Sequence, residues 1–352
     1  MHTQTKIIGT AAAAILSFGL VAAGCGGSGN SGGAAGADKS SSGTLVGAGS
    51  TLVAPLVAQW QGPFKSATGV TVNYGAIGSG GGIQQITSRT VDFGASDAPL
   101  SSDQAQACHG CVQIPWALAA TTLSYNLSGL SRPLRLSGRA IAQMYLGRIK
   151  AWNDPNIQKL NPGVKLPSTP VHPVYRSDAS GDTYAFTDYL SRVSPAWQSK
   201  VGGASTSVGW PTGSGAAKNS GVAAVIRSTP GAIGYVAIGE AVGDKLQFAS
   251  VQNRANAFVT PSTESIAAAA LTAQFKQDNS ASIVDPPASA KNAYPISTFT
   301  YVIVRAGSSK TATLKKFVTY AVTGGQKYGK ALEFAPLPKN VVTKSKTAIK
   351  GL

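Results

Sequence analysis

Arg176 closes the extended run HPVYR and is followed by the small polar residues SDASGDT and then by TYAFTDYL, which has helical spacing. A helix start offers N–H groups without intrahelical partners and a partial positive charge, so an arginine beside one can hold an anion. Taken by itself, RSDASGDT reads as an ordinary helix cap, because Ser and Asp favour that position for capping alone. Three further loops share its character: GAGSTL at 47–52, GSGGG at 78–82 and GASDAPL at 94–100. GAGSTL, GSGGG and RSDASGDT read as strand–loop–helix junctions, with Gly to let backbone approach a ligand and a hydroxyl at or near the helix start. One such junction is turn chemistry. Three in one exported α/β chain point to a shared site for a small, oxygen-rich, enclosed anion.

The elements that must position these loops alternate along the chain. The β-rich runs TLVG, VTVNYG, VDFGAS, HPVYRS and AIGYVAI are interleaved with the amphipathic stretches LVAPLVAQW, GGIQQITS, SDQAQA and TYAFTDYL. This pattern predicts an α/β architecture with largely parallel sheets. Two longer segments, QIPWALAATTLSYNL (113–127) and YPISTFTYVIVRA (294–306), read as buried strands that carry the chain between two lobes, so that it crosses twice. No internal repeat is evident. With 352 residues, 43% hydrophobic and 12% charged, the chain can bury one large or two medium cores and is not a disordered sequence.

The first 25 residues hold one lysine, no acid and an apolar run from Ile7 to Ala23 that ends in small residues before Cys25. They predict a secretory signal over 1–24. A spanning helix is the alternative, but the run is short for one and contains Gly and Ser. The ending VAAGC resembles a bacterial lipoprotein signal, which implies cleavage before Cys25 and lipid on its sulfur. Residues 26–43 are nearly all Gly, Ser and Ala and read as a flexible tether, so the domain begins near Thr44. Thirty Lys and Arg against 14 Asp and Glu give a net charge of +16, of which the signal carries only Lys6. That excess favours anionic partners in general. No basic run interleaved with aromatics and no nucleic-acid motif is found, so nucleic acid is not an expected partner. Cys108 and Cys111 in ACHGC remain as an even pair outside the cell and predict a small disulfide loop. A redox motif, half of a metal site or a haem attachment are the alternatives. No His follows the motif, no second CxxC exists and no thioredoxin-like βαβ start precedes it.

Catalytic constellations are missing from the sequence. After the signal only His109 and His172 remain, the first inside ACHGC and the second beside Pro173, where a loop or edge role is expected. No serine beyond the tether sits in G-x-S-x-G. GGQKYGKA (324–331) fits G-x-x-x-x-G-K but places Ala331 where a hydroxyl should bind magnesium, and it joins two helix-like stretches; it reads as a turn. GAGSTL lacks the third glycine of a dinucleotide fingerprint. No enzyme activity, metal or cofactor is expected.

The runs GAGSTLVAPLVAQW, VNYGAIGSGGGIQQI, TVDFGASDAPLS, YLGRIKAWNDPNIQKLNPGVKLP, RSDASGDTYAFTDYLS and TPGAIGYV resemble, in order, the PstS family, the phosphate-binding proteins of high-affinity phosphate ABC transporters. The resemblance extends from about Thr44 to the C-terminus. It implies a two-lobe periplasmic-binding-protein fold, type II-like, with two crossovers at a hinge and the ligand in the interlobe cleft. Lobe I is then 44–117 plus 299–352, and lobe II is 118–298. It also implies a monomeric, lipid-anchored extracytoplasmic receptor that delivers inorganic phosphate to permease subunits driven by a cytoplasmic ATPase. Carried over by motif, the phosphate ligands are Thr51 and the Leu52 backbone, Ser79, Asp97, Arg176, Ser180, Gly181 and Asp182.

Two positions depart from the family. Leu52 stands where Phe is frequent, which matters little if its N–H is the donor. Asp182 stands where the family often has a donating threonine, so only its N–H is assigned, with Thr183 as a substitute hydroxyl. An ionised Asp97 is only an acceptor, so it suits an oxyanion that keeps a proton, as phosphate does near neutral pH, and repels sulfate, which keeps none. Arg176 supplies a planar fork for phosphate and is also placed to pair with Asp97. The alternatives are a receptor for another tetrahedral oxyanion, sulfate or molybdate, and an exported phosphatase-like enzyme.

Overall fold

A computed structural model describes residues 43–130 and 132–352. The expected signal, Cys25 and the tether up to residue 42 lie outside the described residues. The apolar runs form strands β1 (Thr44–Gly49), β2 (Thr71–Ala76) and β3 (Phe93–Ser96), which alternate with helices α1 (Ala54–Thr68), α2 (Ser79–Thr87) and α3 (Ser102–Cys108). The 15-residue strand β4 (Cys111–Tyr125) leads to β5 (Arg135–Leu136), α4 (Gly138–Tyr145), α5 (Pro155–Gln158) and β6 (His172–Arg176). Then come α6 (Gly181–Val193), α7 (Pro195–Lys200), β7 (Ser214–Ala216), α8 (Lys218–Ser228) and β8 (Ala232–Ala237). After α9 (Ile238–Gly243), β9 (Gln247–Phe248), β10 (Ser250–Gln252), β11 (Phe258–Val259) and α10 (Thr263–Ala270), the chain returns through β12 (Ser297–Arg305) to α11 (Thr311–Val322) and α12 (Lys339–Lys350).

One sheet runs in the order β2-β1-β3-β12-β4-β8-β6-β7, with β9 on β4, and β11-β10-β5 form a small second sheet. The flanks are parallel, as strand–helix–strand connections require: β1 with β2 and β3, and β6 with β7 and β8. The centre departs from the largely parallel expectation. β12 runs antiparallel to β3 and β4, and β4 antiparallel to β8. The reason is topological: a chain that leaves one lobe on β4 and re-enters it on β12 lays those strands head to tail. β4 pairs with β12 over Cys111–Ala120 and with β8 over Thr121–Tyr125, so a single strand belongs to both halves. Pro115 has no N–H for the ladder, and the register slips there: Tyr301 faces Pro115 while Thr300 faces Ala117, leaving Trp116 as a bulge.

Aromatic clusters stiffen both halves behind the loops. Trp60, Phe64, Phe93, Trp116 and Phe317 meet edge to face or tilted under β1 to β3, and behind β6 Phe186, Trp210 and Tyr235 stack while Tyr145 meets Phe186 edge to face. Cys108 and Cys111 are bonded across the α3–β4 corner, their Cα atoms 5.6 Å apart, and Cys108 packs with Ile83, Ile86, Leu100 and Ile303. GGQKYGKA forms two short 3-10 turns after α11, where the Gly325 carbonyl accepts from Trp60 Nε1 at 2.9 Å. His172 begins β6 and is exposed. Among the described residues no helix is long and apolar enough to cross a membrane.

Candidate functional site

The four loops meet where the two halves of the sheet face each other. GAGSTL leaves β1, GSGGG leaves β2 and GASDAPL leaves β3, while RSDASGDT runs from the end of β6 into α6. Ser180 is the extended N-cap of α6, and its Oγ accepts from the Asp182 N–H at 3.1 Å. Gly181 is required at the helix start, because a Cβ there would overlap Asp97 and stand 2.7 Å from its Oδ2. Gly80 is required at the other side of the contact, where its N–H donates to the Ala179 carbonyl at 3.0 Å and a Cβ would meet that of Ala179.

Asp97, 1% exposed, is the hub on the β3 side. The Ser50 hydroxyl reaches both carboxylate oxygens, at 2.6 and 2.7 Å, and itself accepts from Val53 N–H at 3.2 Å. The Ser79 Oγ accepts from the N–H of Asp97 at 3.2 Å and, across the cleft, from the N–H of Gly181 at 3.1 Å. Its own hydrogen is left for Asp97 Oδ2 at 3.3 Å. Ser79 therefore joins the start of α2, the end of β3 and the start of α6 through one oxygen.

Arg176, 3% exposed, is the hub on the β6 side. Its Nε and one terminal nitrogen grip both oxygens of Asp178, and the other terminal nitrogen donates to Asp182 Oδ2 at 3.1 Å. The pairing of Arg176 with Asp97 expected from sequence is not what forms: its ion pairs are with Asp178 and Asp182, which lie on its own loop and reach it without crossing the cleft. The Asp182 carboxylate also accepts from Thr121 Oγ1 at 2.7 Å and from Asn219 Nδ2 at 2.9 Å, and that same amide donates to Thr51 Oγ1 at 3.0 Å. Thr183 turns away: its hydroxyl shares a 2.7 Å hydrogen bond with Tyr235, whose oxygen also accepts from the Arg176 N–H at 2.9 Å.

One guanidinium thus faces three carboxylates. Burial pushes Asp97 up, the charge of Asp182 pushes it further, and the hydrogen bonds of Ser50 and Ser79 and the charge of Arg176 only partly oppose this, so it reaches about 7. Burial alone would raise Asp178 as well, but the Arg176 fork and the Lys218 N–H hold it below its ordinary value. Burial works against the charge on Arg176, yet Asp178 and Asp182 more than offset that and hold it protonated. Side-chain charge therefore does not by itself favour an anion here. The uncharged donors here are the N–H groups of Gly181 and Asp182 at the start of α6 and the hydroxyls around them. Among the described residues no group of three or more His, Cys, Asp or Glu could hold a metal ion.

The structure brings Ser79, Asp97 and Gly181 into one contact and places Arg176, Asp182 and Thr51 in the adjoining one, with Ser180 capping α6 between them in sequence; the Leu52 side chain is buried in the core, leaving its backbone on the loop. Sequence reading missed Ser50, Asp178, Asn219 and Thr121. Ser50 and Asp178 stand inside two of the quoted loops, and Asn219 lies in the first turn of α8, behind the small residues GSGAA and Lys218. Thr121, mid-strand on β4, carries no such local signal.

Residues 34–324 match the family described as the PBP superfamily domain. The chain is 40% identical over 311 residues to the phosphate-binding protein PstS of Xylella fastidiosa (strain 9a5c), covering 87% of this chain and 85% of that protein. It is 38% identical to PstS of Haemophilus influenzae, over 86% and 92%, and 32% identical to PstS 3 of Mycobacterium leprae, over 97% and 98%. Its fold is similar to that of a high-affinity periplasmic phosphate-binding protein (PfluDING) solved with phosphate at pH 8.5, with a TM-score of 0.71 and 22% identity over 86% of this chain and 93% of that one. The chain belongs to the PstS family of phosphate-binding proteins, within the PBP superfamily.

Proposed function

We propose that this protein captures inorganic phosphate outside the cytoplasm and delivers it to the permease subunits of an ABC transporter driven by a cytoplasmic ATPase. The observation that carries the reading is the juxtaposition of the Asp97 carboxylate with the Gly181 N–H at the start of α6: Ser79 Oγ donates to the one at 3.3 Å and accepts from the other at 3.1 Å. It puts an acceptor for a ligand proton beside donors for ligand oxygens, which is what a partly protonated oxyanion needs. Phosphate takes the Leu52 N–H, the Thr51 and Ser180 hydroxyls and the two N–H directions of Arg176 that its carboxylate partners leave over, and it replaces the present partners of the Gly181 N–H, the Asp182 N–H and the Ser79 hydroxyl, which are Ser79, Ser180 and Asp97. Asp97 accepts the P–OH. Sulfate and molybdate are the competing ligands for the same donors, and Asp97 is the group that selects against them.

The lobes are 44–117 plus 299–352 and 118–298, and ligand closes them about β4 and the entry to β12. The protein acts as a monomer without cofactor. The small disulfide loop at Cys108 and Cys111 serves stability, and a lipid on Cys25 holds the tethered domain at the membrane. Intact-mass analysis of the membrane fraction tests the anchor; retention of residues 1–24 on the mature chain contradicts it. Equilibrium dialysis with labelled phosphate, competed by sulfate and molybdate, tests the ligand. Scattering with and without phosphate tests closure. Steady turnover of a phosphate monoester would replace the receptor reading by that of an exported phosphatase, for which the site offers no histidine base and no activated nucleophile.

A further inference from the structure

Asn219 is the second residue of α8, directly after Lys218, which begins the helix and holds φ at +63° although it is not glycine. A side-chain-bearing residue keeps that conformation only where its surroundings fix it. Here the Lys218 N–H donates to Asp178 Oδ1 at 2.9 Å, and the turn delivers the Asn219 side chain, 2% exposed, into the interior. Its Oδ1 accepts from the Ala237 N–H at 2.9 Å, at the end of β8, and this settles which end of the amide is the oxygen. Both hydrogens of Nδ2 are then used, one on Asp182 Oδ2 at 2.9 Å and the other on Thr51 Oγ1 at 3.0 Å.

The consequence falls on Thr51. A hydroxyl that accepts from an amide still has its own hydrogen to give, so the amide fixes the sense of the threonine as a donor. We propose that Asn219 is a positioning residue of the anion site: it orders the Thr51 hydroxyl to donate to the bound oxyanion while pinning the Asp182 carboxylate beside Arg176. Because Thr51 follows β1 and Asn219 follows β7, the ordering exists only when the two lobes are together, which couples closure to the completion of the donor set. This rests on the reading of the site as a phosphate site.

The test is a double-mutant cycle on the full-length chain, with Thr51→Val, Asn219→Ala and the pair, read by calorimetric titration with inorganic phosphate. Each single variant is expected to weaken phosphate about tenfold, and Thr51→Val to cost under about twofold once Asn219 is gone, since the hydroxyl has then lost its orientation. A purely structural Asn219 would leave the cost of Thr51→Val the same on both backgrounds, and that result overturns the proposal. If Asn219→Ala melts below the assay temperature, Asn219→Ser takes its place in the cycle, with the same two outcomes. Failure of the wild type to bind phosphate overturns the underlying reading and this proposal with it, whereas additive losses with an intact wild type overturn only the role of Asn219.

Discussion

The Ser50 hydroxyl donates to the Asp97 carboxylate from a position within reach of both of its oxygens, so the one buried acid on the β3 side of the cleft is held by a neighbour from the first loop. That contact lowers the carboxyl against the upward push of burial and of Asp182. Ser50→Ala therefore raises Asp97 above about 7, leaves more of it protonated at neutral pH and weakens its ability to accept from a P–OH. The expected outcome is a smaller preference for phosphate over sulfate at pH 7, recovered in part at pH 8.5. Titrations at both pH values check this; an unchanged preference at both speaks against it.

Asp97→Asn is expected to stabilise the protein without phosphate at alkaline pH. The carboxyl titrates at about 7 in the fold against 3.8 as its ordinary value, so between those two values the folded chain holds more protons than the unfolded one. Stability contributed by this group is present at acid pH and falls as pH rises across that window. Removing the carboxyl removes the fall, giving the variant an advantage on the order of 2 to 4 kcal/mol at pH 8 and little at pH 4. Thermal melting at the two pH values measures it, and an advantage that does not grow with pH is the opposing result.

Asp182→Thr removes the acceptor shared by Thr121, Arg176 and Asn219. The loss of these buried hydrogen bonds is expected to cost about 2 to 4 kcal/mol of stability. With the neighbouring charge gone, Asp97 moves down towards its ordinary value, so the decline of stability with pH becomes shallower than in the wild type. Melting curves across pH 4 to 8 distinguish this from a variant that keeps the wild-type slope.

Arg176→Ala removes the guanidinium that pairs with Asp178 and Asp182 and strands both carboxylates. Phosphate binding is expected to weaken by roughly 2 to 5 kcal/mol, with a lower melting temperature as the carboxylates lose their partner. Arg176→Lys keeps the charge but not the fork that engages both oxygens of Asp178, and falls between the two. Calorimetry on both variants checks the order; full affinity in Arg176→Ala removes the arginine from the site.

The helix starts of the site were legible because their chemistry is local: Ser180 caps α6 and Gly181 leaves room for Asp97, and both choices are written in SGDT. The crossing strands were legible as unbroken apolar runs. What the sequence could not reveal is pairing across the fold. Thr121 meets Asp182 because the β4–β8 register sets Thr121 opposite Ala237, and Asn219 is anchored on the Ala237 N–H. Arg176 reads as a partner for Asp97 only until its own loop curls Asp178 and Asp182 onto it, an outcome of backbone geometry rather than residue type. The antiparallel centre of the sheet follows from crossing twice, which residue periodicity does not encode.

The central claim is that Asp97 selects phosphate by accepting its proton at a site built from the starts of α2 and α6. The most direct measurement is calorimetric titration of the full-length wild type and of Asp97→Asn with phosphate and, separately, with sulfate at about pH 9, well above the value of about 7 at which Asp97 titrates, so that the carboxylate is ionised. The account predicts that the wild type prefers phosphate by about 100-fold or more, and that Asp97→Asn narrows this preference at least about tenfold, since its amide can donate to an unprotonated oxyanion. Equal affinity of the wild type for sulfate and phosphate, or an unaltered preference in Asp97→Asn, would contradict it.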